Sequence, residues 1–84
     1  MRANETAAAF VMSKEDATRD REQFVVNLGD LLSQTREKVS GCALIDAEKP
    51  TEHVLVIFKG GGTRRINTYM DSYAAIIQDV IEGI

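Results

Sequence analysis

The sequence predicts an α+β fold, a two-layer sandwich in which two helices cover one face of a three-stranded antiparallel meander, in the order helix-strand-strand-strand-helix. Three observations carry this. Apolar residues recur three and four apart between Phe24 and Val39 and again between Tyr73 and Ile84, which is the spacing of a helix face. Two apolar runs of strand length, GCALIDA and HVLVIFK, flank the turn sequence EKPTE. A third run, TRRINTYM, follows three consecutive glycines. A chain of 84 residues leaves room for one domain, assigned to residues 13–84, and residues 1–12, MRANETAAAFVM, form an arm with no clear period.

The first helix begins at or shortly after SKED, where Ser13 caps and Asp16 follows three residues on, an approximate capping box. Its apolar stripe is Phe24, Val25, Leu28, Leu31, Leu32 and Val39, opposite Asp30, Gln34, Glu37 and Lys38. Gly29 lies inside that stripe at a cost of about 1 kcal/mol relative to alanine. Either the other propensities outweigh it or a neighbour packs closely there. Ser40 and Gly41 then end the helix.

In the two strands that follow, Pro50 cannot donate to a ladder and so marks the turn between antiparallel neighbours. Val54, Val56 and Phe58 point to one side of the second strand, Leu55 and Ile57 to the other. Both faces of this strand are apolar, as in a central strand covered on both sides. The third strand puts Arg64, Ile66, Thr68 and Met70 on one face and Arg65, Asn67 and Tyr69 on the other, a composition suited to a partly exposed edge. Asp71 caps the last helix, whose stripe is Tyr73, Ile76, Ile77, Val80, Ile81 and Ile84, with Gly83 at its stop.

With both helices on one face, Leu55, Ile57 and Ile45, joined by Ala43 or Leu44 according to register, need a cover. The N-terminal arm, a second copy of the chain or another protein can supply it. A short chain buries a small share of its surface, so self-association also helps its stability.

Gly60, Gly61 and Gly62 do not read as a phosphate loop. That motif needs G-x-x-x-x-G-K-[ST] leading into a helix, whereas Lys59 precedes these glycines and a strand follows them. Positive φ for a tight hairpin is what they supply. Lys59, Arg64 and Arg65 cluster around the tip with no acid between them, which makes anion or nucleic-acid binding the alternative reading. Ten basic residues against thirteen acidic ones, a net charge of -3, provide no general field for a polyanion, so nucleic acid is not the favoured partner.

The order of elements resembles, in topology alone, that of double-stranded RNA-binding domains. That family presents a lysine-rich start of its second helix to RNA, and this chain has DSYAAIIQ there, followed by acids. Element order without those lysines carries no function across.

His53, the only histidine, stands near Glu52, Glu48 and Asp46, the one arrangement suggesting a general base. No nucleophile motif accompanies it, so it reads as a polar residue opening a strand, with no catalytic or metal residue assigned and no cofactor expected. Tyr73 belongs to the core stripe, and two tyrosines without tryptophan make no stacking platform. Cys42, the only cysteine, sits beside Ala43, Leu44 and Ile45 as a small buried hydrophobe, and an unpaired thiol suits a reducing compartment.

The longest large apolar run, VLVIF, is far short of the roughly 20 residues that span a bilayer, and AAAFVM is too short for a signal core. The expectation is a cytoplasmic, non-catalytic interaction domain, a homodimer or a docking partner of another protein, with no membrane contact.

Overall fold

The computed structural model describes residues 14–84. The N-terminal arm, 1–12, and the capping role expected of Ser13 lie outside them. The expected α+β order is present: α1 (Lys14–Thr35), β1 (Val39–Ile45), β2 (His53–Phe58), β3 (Thr63–Asn67) and α2 (Tyr73–Gly83). The sheet runs β1-β2-β3 with antiparallel pairs, so the strand that is apolar on both sides is the central one.

Helix α1 buries Arg21, Val25, Leu28, Gly29 and Leu32, a continuous face at three- and four-residue spacing. The helix stops at Thr35, earlier than the periodicity suggests. Val39 fits the helical spacing but is the first residue of β1, buried and paired with Phe58, after a turn closed by bonds from the Arg36 amide to the Leu32 carbonyl (2.7 Å) and from the Val39 amide to the Arg36 carbonyl (3.1 Å). A β-branched side chain buries equally well in either setting, and the ladder also satisfies its backbone.

Gly29 is explained by proximity. A methyl group built there would collide with the backbone nitrogen of Cys42, so α1 rests directly on β1. Cys42, Leu44, Val54, Val56, Ile76 and Val80 complete the core beneath both helices. An irregularity between Val39 and Gly41 turns Val39 toward the helices while Gly41, opposite Ile57, stays on the other side.

The hairpin reading of the glycines holds. Gly61 and Gly62 have φ of 89° and 87°, and the turn is closed by Gly61 N–H to Phe58 O and Phe58 N–H to Gly62 O, both 3.1 Å. Strand β3 ends at Asn67, before the Thr68, Tyr69 and Met70 assigned to it, because its partner β2 begins at His53, opposite Asn67; Met70 then turns with a φ of 65°. Likewise β1 stops at Ile45, where Asp46 turns to a φ of 54°.

The N-cap of α2 is Ser72, whose hydroxyl accepts from the Ala75 amide at 3.1 Å, and not Asp71. Only Ile76 and Val80 of the α2 stripe are buried; Tyr73, Ile77, Ile81 and Ile84 remain partly exposed. A sheet of three short strands is too narrow to cover so wide an apolar arc.

Candidate functional site

Alternation along the ladder defines the face of the sheet turned away from the helices. Its rows are Gly41, Ile57 and Thr63, then Ala43, Leu55 and Arg65, then Ile45, His53 and Asn67. The register therefore selects Ala43 and not Leu44, which is buried on the helix side. Ile45 and Ile57 are 38% and 39% exposed, while Val54 and Val56, one residue away on the other face, are fully buried. The three residues Ile45, Leu55 and Ile57 thus share one apolar surface with a single charged neighbour, Arg65.

The hairpin cations separate. Arg64 and Arg65 point to opposite faces, and Arg64 Nη1 donates to the Gly83 carbonyl at 2.6 Å, answering the exposed carbonyls at the end of α2. The Lys59 ammonium reaches the Ser33 carbonyl at 3.4 Å, at the end of α1. Lys59, Arg64 and Arg65 do not converge on one point.

His53 opens β2 and is buried, its Nδ1 at 2.9 Å from the Thr51 carbonyl. Glu52, imagined as a carboxylate orienting it, is held by Arg21, and the His53 Nδ1 meets the Thr51 carbonyl. Cys42 is a buried free thiol, and burial raises its pKa above the ordinary thiol value, away from reactivity.

Glu52 instead belongs to a buried clasp that sequence reasoning missed. Arg21 Nε donates to Glu52 Oε1 at 2.6 Å and Nη2 to Oε2 at 2.8 Å, a bidentate pair. The remaining donors go to the carbonyls of Thr68 (2.9 Å) and Asp71 (2.8 Å). Glu52 further accepts from the Glu48 amide (3.0 Å) and the Thr68 hydroxyl (2.7 Å). Helix α1, the β1–β2 turn and the β3–α2 connection are thereby tied at one point.

Hydrogen bonding to Glu52, opposed by burial, raises the pKa of Arg21. For Glu52 burial alone would push the carboxyl up, but the bonds from Arg21, the Glu48 amide and Thr68 outweigh it and hold it below its ordinary value. Beside the clasp, Asp71 hydrogen-bonds the Asp79 carboxyl, and that bond, with burial and charge repulsion, pushes Asp71 up to about 6. Its Oδ2 is buried without a hydrogen-bond partner. The only signal of the clasp in the sequence is an arginine at a core position of the α1 stripe, and its partner lies 31 residues away.

On the helix side, α1 and α2 run in the same direction. The Phe24 and Tyr73 rings stack with centroids 4.4 Å apart, and the Tyr73 hydroxyl donates to Asp20. Beyond this contact a cavity of about 310 Å³ opens between the helix ends, lined by Val39, Phe58, Ile81 and Ile84 with Arg36, Glu37 and Lys38 at its rim.

Among the described residues no helix is long and apolar enough to cross a membrane, and no group of three or more histidine, cysteine or acidic side chains is placed to hold a metal. Comparison with protein-family models, with characterised proteins and with solved structures gives no match.

Proposed function

We propose that this chain is a small non-catalytic interaction domain that pairs with a second copy of itself through the outer face of its sheet. The observation that carries the reading is the shared exposure of Ile45 and Ile57 beside Leu55, on a face whose opposite side buries Cys42, Leu44, Val54 and Val56. An apolar face with one peripheral cation is compatible with its own copy, as a two-fold contact requires. The buried, unpaired Cys42 supports a reducing compartment such as the cytoplasm. Anion binding has less support, because two of its three cations already bond to helix-end carbonyls.

Sedimentation equilibrium at several concentrations tests the proposal on the wild type and on Ile57→Glu. Concentration-dependent dimerisation is expected, weakened at least about tenfold by the buried charge. A wild-type chain that stays monomeric throughout overturns it, and so does a dimer that Ile57→Glu leaves intact.

A further inference from the structure

The sides of α1 and α2 that face each other close at one end only. The Phe24–Tyr73 stack seals the end nearer the start of α2. Leu31 lies seven residues beyond Phe24, hence on the same side of α1, and is 57% exposed. Across from it Ile77, Ile81 and Ile84 repeat at helical spacing along the flank of α2 and are also partly exposed. Val39 and Phe58 line the cavity at the ends of the two helices together with Ile81 and Ile84, so an apolar groove opens there, on the opposite side of the sheet from the face discussed above.

The rim has a definite sign. Arg36 and Lys38 are exposed and have no acid partner among the described residues. Among the described residues Glu37 is the only acid lining the groove. Two cations against one acid give the opening a small positive excess in a chain whose net charge is -3. Apolar walls alone would accept any greasy helix; cations at the mouth discriminate by charge.

We propose that the groove binds a short helical segment of a partner protein carrying large apolar side chains on one face, flanked by carboxylates. The apolar face would lie against Leu31, Ile77, Ile81 and Phe58, and the carboxylates would meet Arg36 and Lys38. A free anion or a nucleic-acid backbone fits this lining poorly, because it has no use for the isoleucines. The proposal is independent of the sheet-face dimer.

Fluorescence anisotropy with two labelled peptides of about 14 residues decides it, both with leucines three and four apart, one with glutamates at the flanking positions and one with lysines. The glutamate peptide is expected to bind at least about tenfold more tightly, with Kd rising as salt is added. Ile81→Asp, at an exposed position, weakens it at least about tenfold while the circular-dichroism melting curve stays that of a folded chain. Arg36→Glu with Lys38→Glu reverses the preference between the peptides, and Ile57→Glu leaves both affinities unchanged. Equal binding of the two peptides overturns the proposal, as does absence of binding up to about 1 mM or an affinity indifferent to Ile81→Asp. Loss of self-association in Ile81→Asp, with Ile57→Glu still dimeric, would give the groove to a second copy and also overturns it.

Discussion

Arg21 occupies a place that the helix face otherwise gives to aliphatic residues, and four of its donors are spent on Glu52 and on the Thr68 and Asp71 carbonyls. Arg21→Met leaves a carboxylate buried at 1% exposure with no counter-charge, which costs about 3–5 kcal/mol. Urea denaturation should show that loss, a large share of the roughly 5–15 kcal/mol that holds an ordinary domain folded. Arg21→Met with Glu52→Leu should recover only part of it, because the two carbonyls lose their donors as well. Acid should weaken the clasp: Glu52 is held below its usual 4.5, so its contribution is complete above that value and disappears as pH falls through the lower folded value. Asp71 has the opposite sign. Its carboxyl is raised from 3.8 to about 6, so the folded chain binds the extra proton and stability declines as pH rises across that window. Asp71→Asn should therefore melt higher than wild type at pH 7, with the advantage gone below about pH 4, as thermal melts at the two pH values would show.

Helix α1 and strand β1 are held together by a missing side chain. At Gly29 the ordinary expectation for a helix is that alanine stabilises by about 1 kcal/mol. Here the added methyl meets the backbone nitrogen of Cys42, and a strand backbone in a ladder cannot move aside cheaply. Gly29→Ala is expected to lower the melting temperature, with a loss of about 1–3 kcal/mol on denaturation; a gain would mean that α1 is free to lift from β1. At the opposite edge Gly83 of α2 lies against the Ile66 side chain, whose end can swing aside, so the seat there is softer. Each helix is seated on an edge strand, so both edges of the sheet are shielded on one side. Two helices fixed separately to opposite edges have no need to touch along their length, which leaves the cavity between their ends lined by Val39, Phe58, Ile81 and Ile84.

For the molecule as a whole, one sheet face is packed and the other carries Ala43, Ile45, Leu55 and Ile57 without a cover among the described residues. Ile57→Glu changes a partly solvated position, so its effect on monomer stability should stay within about 0.5 kcal/mol in dilute denaturation experiments. Its effect on association is expected to be far larger. That split separates an interface residue from a core residue. Ile57 and Ile81 lie on opposite sides of the sheet and share no neighbours, so their substitutions should act additively on stability.

Period and turn chemistry made most of the elements legible in the sequence, together with the hairpin at Gly60–Gly62 and the two apolar sides of β2, because these depend on residues a few positions apart. The ambiguous points were those where two local signals agree with two structures: Val39 suits a helical stripe and a strand alike, and Asp71 and Ser72 are both competent caps. The outer face was legible as a pair of candidates, Ala43 or Leu44, and pairing with Leu55 decided between them. The three cations near the hairpin could not be resolved in one dimension, since alternation sends Arg64 and Arg65 apart and the end of α2 claims Arg64. The Arg21–Glu52 clasp, the Gly29 seat and the groove between the helices were decided only by the tertiary structure. Each depends on groups far apart in the chain meeting through space, and local patterns hold no information about which distant partner arrives.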